Sequence, residues 1–235
     1  MVKVQQKKGG NTFWVALIGI AAIGAGALGY MTSRQQKTVV TLDPSLPKVA
    51  AEGYTLGRAD APVEIIEFAD YECPVCAQYA AVTEPDVRKR LIEPGLVKYT
   101  YYDFPLDMHP NTVSAMLGAA CANDQGKYWE MHDRIYMGQL EWNTQATSNP
   151  KKVLAGYAKE LGLDTKAWDE CFDSRKYLPR IQASQQEAIK RRLNGTPAFI
   201  VGDKLIPGNT NFDDLKALVD SAIAKQKVAA PAPAK

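Results

Sequence analysis

The chain has 235 residues, 46% of them apolar, which allows one or two domains and a sizeable core. The formal net charge is +2, and three of the 28 basic residues but none of the 26 acidic ones precede residue 13. The remainder of the chain is close to neutral overall, which leaves no basic patch for a nucleic-acid backbone.

Residues 1–12 carry Lys3, Lys7 and Lys8 and read as a cytoplasmic basic N-terminus. Residues 13–31, "FWVALIGIAAIGAGALGYM", hold no charge. As a helix they would span about 28 Å, near the thickness of a bilayer's hydrocarbon core. Trp14 and Tyr30 sit near the two ends, where interfacial aromatics belong. The segment therefore predicts one transmembrane helix that anchors the chain in the cytoplasmic membrane and exports the residues beyond it. The alternative is a cleaved signal sequence with Ala25-Gly26-Ala27 as its site, which would give a secreted protein. Residues 32–54 are polar, with Pro44 and Pro47, and read as a linker. Residues 226–235 form an Ala/Pro/Lys tail read as disordered, which leaves one domain over 55–225.

Within that domain, 63–68 is a short β-branched and aromatic run after Pro62 and predicts a strand. A helix is expected from the "CPVC" motif onward, because Pro74 suits the first helical position. Residues 96–102, "LVKYTYY", predict a second strand. Val113, Met116, Leu117, Ala120 and Cys121 fall at helical spacing, as do Tyr128, Trp129, His132, Ile135 and Tyr136. Further helices are expected over 151–161, 165–172 and 175–193, the last stopping at Asn194-Gly195. Two short strands, 198–201 and 204–206, flank a Gly202-Asp203 hairpin turn, and a helix over 212–224 closes the domain. This order describes an α/β or α+β domain with a helical insertion.

Cys73 and Cys76 lie between the first strand and the first helix. A structural zinc site needs four ligands, but Cys121 and Cys171 stand alone and His109 and His132 are not spaced as a pair. An inert disulfide across two residues would constrain little of the unfolded chain. A redox pair fits the position. Cys73 at a helix N-terminus gains the dipole and the free N–H groups as a thiolate, and Cys76 in the first turn can attack a mixed disulfide. Cys73 is thus read as an exposed nucleophile of lowered pKa and Cys76 as the buried resolving thiol.

The segments "EFADYECPVC", "YYDFPLDMHPNTVSAMLGAACANDQGKYWEMHD" and "GTPAFIVGDKLIPG" resemble the DsbA-like family of thioredoxin-fold thiol–disulfide oxidoreductases. The resemblance covers most of residues 53–225. It implies a thioredoxin fold with a helical insertion, preceded here by the membrane anchor. It implies that Pro197 is a cis-proline beside the cysteines, and that the backbone of Thr196 pairs with bound peptide. It also marks Glu67, six residues before Cys73, as the position of a buried acid serving proton transfer; the residues alone leave an edge-strand surface position equally open. Val75 replaces a family histidine and cannot donate a side-chain hydrogen bond to the Cys73 thiolate. Cys121 and Cys171 are expected to form a structural disulfide, as in some family members and as export favours; free buried cysteines are the alternative. His132 reads as a satisfied core histidine, His109 as a capping or packing residue, and the loop "GQLEWNTQATSNP" receives no role.

The functional expectation is an enzyme that oxidises cysteine pairs in exported, unfolded or partly folded proteins, working as a monomer without metal or organic cofactor. The resemblance implies reoxidation by a quinone-linked membrane partner of the DsbB or VKOR-like type. A reductase or isomerase of the same compartment and a non-catalytic, membrane-tethered binding module are the alternatives.

Overall fold

The segment 63–69, "VEIIEFA", alternates buried and half-buried positions over its first four residues and then turns wholly inward, the pattern of a strand that enters the middle of a sheet. The computed structural model describes residues 17–18, 39–42 and 50–229. The chain divides into two units, Met1–Thr38 and Val39–Lys235. In the first only Leu17 and Ile18 are described, helical and exposed. The rest of the expected anchor over 13–31 lies outside the described residues, as does 230–235 of the expected tail. No described helix is long and apolar enough to cross a membrane.

The described residues of the second unit form six strands: β1 (Val40–Thr41), β2 (Tyr54–Leu56), β3 (Val63–Ala69), β4 (Val97–Asp103), β5 (Ala198–Val201) and β6 (Lys204–Pro207). They form one sheet in the order β1-β6-β5-β3-β4-β2. Only β3 and β4 run parallel, with Val63 opposite Val97 and Ala69 opposite Asp103. β5 pairs antiparallel with β3 and β6 with β5. β1 arises within the segment read as a linker and β2 begins at its last residue: Val40 pairs with Leu205 and Tyr54 with Tyr101.

The helices are α1 (Pro74–Val82), α2 (Glu84–Val87), α3 (Thr112–Asn123), α4 (Tyr128–Met137), α5 (Gln139–Trp142), α6 (Pro150–Glu160), α7 (Thr165–Asp173), α8 (Leu178–Lys190) and α9 (Phe212–Ala229). A π-helical turn, Arg88–Ile92, continues α2. The long helix expected from 175 starts at Leu178 instead. Arg175 takes a positive φ of 53°, which breaks the helical path, and Pro179 then suits the first turn. Asp164 caps α7 by accepting from the backbone of Lys166 and Ala167.

The core has three parts. One, built on Met116, Met131, Trp142, Leu154 and Trp168, fills the helical insertion over α3–α7. A second packs α1, α2 and α9 on one side of the sheet through Tyr79, Val87, Leu215 and Val219. A third lies beneath α8, through Phe68, Tyr102, Ala188 and Ile200. Cys121 and Cys171 are joined, 2.04 Å between sulfurs, and tie α3 to α7 across a sequence separation of 50. The expected second disulfide is therefore present. Both Cys73 and Cys76 belong to the insertion's core, so the redox motif sits where sheet and insertion meet.

Candidate active site

β3 ends at Ala69, and Asp70 turns the chain. Its carboxylate accepts from Glu72 N at 2.8 Å and its carbonyl from Cys73 N at 3.1 Å. A short Asx-type turn thus delivers Cys73 to the N-cap of α1 in extended conformation (φ −69°, ψ 120°), with Pro74 as the first helical residue. Proline has no N–H to waste there, so the amides of Val75 and Cys76 remain to serve the sulfur. The same Asp70 accepts from His109 Nδ1 and from Leu106 N, both at 2.9 Å. His109 therefore braces the turn that presents the cysteines.

The two thiols are driven in opposite directions. Cys73 is lowered to about 6, chiefly by the hydrogen bond from Cys76 and further by Thr196 and the amides of Cys76 and Val75, against the opposing cost of burial. Cys76 is fully buried and pushed well above its ordinary value, first by desolvation, then by its bond to Cys73 and by the charges of Cys73 and Glu67. One expectation is corrected here. Cys73 is not exposed but 6% accessible, because it packs into the insertion's core and against the Thr196 carbonyl; Pro74 and Val75 are the exposed residues of the motif.

The peptide bond from Thr196 to Pro197 is cis. The Cys73 thiol donates to the Thr196 carbonyl across 3.5 Å, and the buried Thr196 hydroxyl has no partner. Thr196, the residue before the cis-proline, thus stands against Cys73.

Glu67 is buried at 1% in a strand flanked by β4 and β5, which settles the open alternative against a surface position. Its carboxyl accepts from the Tyr99 hydroxyl. Desolvation, with the charge of Glu84 second, raises its pKa well above the ordinary range. Its charge in turn raises Cys76, so this acid and the resolving thiol influence one another.

His132 is buried among five aromatic rings, 5.0 Å from those of Tyr101 and Tyr136. Its Nδ1 lies 3.0 Å from Asp133, but Nε2 has no partner, so this core histidine is only half satisfied. Glu84, His132 and Asp133 bring possible ligand atoms within 4.8 Å of one another. The Arg88 guanidinium, however, already bonds both carboxylates, Glu84 at 2.8 Å and Asp133 at 2.6 Å and 2.9 Å, and a cation there takes the place of a metal.

Two supporting residues escaped the sequence reading. Gln139 Nε2 donates to the carbonyls of Tyr71 at 2.7 Å and Cys73 at 3.1 Å. Buried Glu72 accepts from Asn111 N at 2.9 Å and from Thr144 N. The loop given no role thus clamps the start of α1.

The sequence profile of the family described as Thioredoxin matches residues 50–221. The chain is 34% identical over 184 residues to "Na(+)/H(+) antiporter NhaA 1" of Salinispora arenicola, covering 78% of this chain and 26% of the antiporter. It spans about a quarter of the length of that relative and of its counterpart in Salinispora tropica. It is 28% identical over 178 residues to "Probable disulfide bond formation protein D" of Bacillus anthracis, covering 73% of this chain and 78% of that protein. The crystal structure of alpha-DsbA1 from Wolbachia pipientis superposes with a TM-score of 0.68 at 22% identity, over 78% of this chain and 96% of that one.

Proposed function

The chain belongs to the thioredoxin family, and from that premise we infer that it is a thiol–disulfide oxidoreductase that introduces disulfides into exported proteins. The observation that carries this is the asymmetric thiol pair: Cys73 lowered to about 6 and Cys76 raised, on one helical turn. In the oxidised enzyme a substrate thiolate attacks Cys73 Sγ, the Cys73–Cys76 bond breaks, and Cys76 leaves and takes up a proton. A second substrate thiolate then attacks the first substrate sulfur. The new substrate disulfide forms and Cys73 leaves as a thiolate stabilised by the helix N-terminus. Two electrons pass from substrate to enzyme.

Each neighbour has a part in this reading. The Thr196 backbone, whose carbonyl already meets Cys73, aligns the substrate chain beside the sulfur. Glu67 exchanges a proton with Cys76 as its thiolate forms and is consumed. A thiolate that leaves readily favours oxidation of substrates over their reduction. The name of the Bacillus relative, a probable disulfide bond formation protein, supports the same direction. Export and anchoring rest on the uncharged segment 13–31 behind its three lysines. Return of the electrons to a quinone-linked membrane partner of the DsbB or VKOR-like type rests on the family resemblance.

The test is trapping. Cys76→Ser in the full chain is expected to accumulate mixed disulfides with exported proteins, resolved by reductant on gels, whereas Cys73→Ser accumulates none. Equal trapping by both variants, or by neither, would refute the assigned roles.

A further inference from the structure

Beside the Thr196–Pro197 loop a groove of about 810 Å³ opens on the side of the sheet that carries α8. Its floor is the open end of the third apolar cluster, with Leu42, Leu193, Ala198 and Leu205 in both. Its near end is Thr196, whose carbonyl touches the Cys73 thiol. A chain disulfide-bonded to Cys73 and lying along Thr196 therefore enters this groove at one end.

The charge of the groove is one-sided. Its lining holds Lys190, Arg191 and Arg192 and no carboxylate. Just outside it, Glu187 is bonded by Arg191 at 2.9 Å and lies at the 4.0 Å limit from Lys190. Arg192 is exposed and follows α8 with a positive φ of 57°, a backbone state that costs an arginine energy and turns it out of the helical path. No described residue pairs with it. A chain near neutral overall thus concentrates cations on one rim of an apolar trough that leads to its nucleophile.

We propose that this groove receives the stretch of substrate polypeptide next to the reacting cysteine, and selects stretches that combine apolar with acidic side chains. The proposal rests on the oxidoreductase reading and adds a substrate class to it. Apolar residues cover Leu42, Leu193 and Leu205, while carboxylates meet Arg192 and Lys190. Exposed pairs of this kind are weak and screened by salt, so they bias the choice among unfolded chains without holding any product.

The experiment uses the full-length oxidised protein and two synthetic peptides, each with the same cysteine pair flanked by leucines. One carries aspartates among the leucines and the other lysines. Peptide oxidation is followed by thiol titration. At low salt the acidic peptide is expected to react about three- to fivefold faster, as one or two exposed ion pairs allow, and the two rates converge at molar salt. Arg192→Glu is expected to bring the two rates together. Lys166→Glu, at a side chain 87% exposed on α7, is expected to keep them apart. Equal rates at low salt in wild type, or an undiminished difference in Arg192→Glu, would overturn the proposal while leaving the oxidoreductase reading intact. Failure to oxidise either peptide would overturn that reading, and the groove's role with it.

Discussion

The reduced protein is expected to carry a share of stability that depends on ionisation of Cys73, and Cys73→Ala should remove it. In the fold this thiol's pKa falls from an ordinary value of 9.0 to about 6. A depressed acid stabilises the fold fully above its unfolded pKa, and that stabilisation is lost as pH falls through the folded pKa. The window therefore runs from about pH 9 down to about pH 6. Three pH units correspond to about 4 kcal/mol in the fully ionised limit. At pH 7 the thiolate is about nine-tenths formed in the folded state and about one-hundredth in the unfolded, which leaves about 1.4 kcal/mol. Solvent screening at the helix end reduces this to about 1 kcal/mol.

Urea denaturation of reduced wild type and reduced Cys73→Ala at pH 5.5, 7 and 8.5 measures the difference. Asp103, whose carboxyl is pushed by burial up to about 7, titrates in the same range. It is present in both proteins and drops out of the comparison. The stability gap should widen from pH 5.5 to pH 8.5 by an amount on the order of 2 kcal/mol. The oxidised protein, whose Cys73 cannot titrate, should lack this slope. Parallel profiles for wild type and variant across the range would refute the thiolate argument.

Replacing Cys121 and Cys171 together by alanine should cost about 4 kcal/mol in non-reducing urea denaturation, the chain-entropy value for a loop of this separation; a cost below about 1 kcal/mol would show that the helical insertion does not need the link. Glu67→Gln should change the pH profile of stability. The raised pKa keeps the proton on in the fold, so wild type loses stability as pH rises above 4.5, and the variant should lose less over the same range in the same assay. Gln139→Ala leaves the buried carbonyls of Tyr71 and Cys73 without their donor. It should cost about 1–3 kcal/mol and shift the Cys73 titration followed by thiolate absorbance; an unmoved titration would confine Gln139 to stability.

The site was legible in the sequence where its chemistry is local. Pro74 after Cys73 fixes the start of α1, and the position of both cysteines on that first turn needs no tertiary information. The Thr196–Pro197 loop and the second disulfide came through the family resemblance, and both are present. Burial of Glu67 could not be read from its strand alone, because only pairing on both sides by β4 and β5 removes it from water. Gln139 and Glu72 act on partners far along the chain, and no spacing announces such contacts. β1 and β2 span two and three residues, too few for a period, and exist only through their pairing with β6 and β4. The near-neutral charge balance likewise concealed the cations that α8 and its end gather beside Thr196.

The opposed pKa values of the two thiols come from the helix start and from burial, while a neighbouring cation bears on the acid beside them. Arg88 is committed to Glu84 and Asp133 by close hydrogen bonds. Glu67, on the neighbouring strand, feels that cation only at a distance and is left with the Tyr99 hydroxyl as its bonded partner. A buried carboxylate with one neutral donor is poorly compensated, so Glu67 keeps its proton. Were Glu67 charged, it would push the Cys76 pKa higher still, and a Cys76 thiolate would hold the Glu67 proton more firmly in return. Only one negative charge is tolerated between them. In the proposed reaction, charge that appears on Cys76 as the disulfide opens is relieved by the proton on Glu67. Cys73, a turn earlier, needs no such relief, because the amides of Val75 and Cys76 and the Cys76 thiol carry its charge. On the proposed reading the helix start determines which sulfur leaves charged, and burial together with the Glu84 charge keeps Glu67 neutral to serve the other.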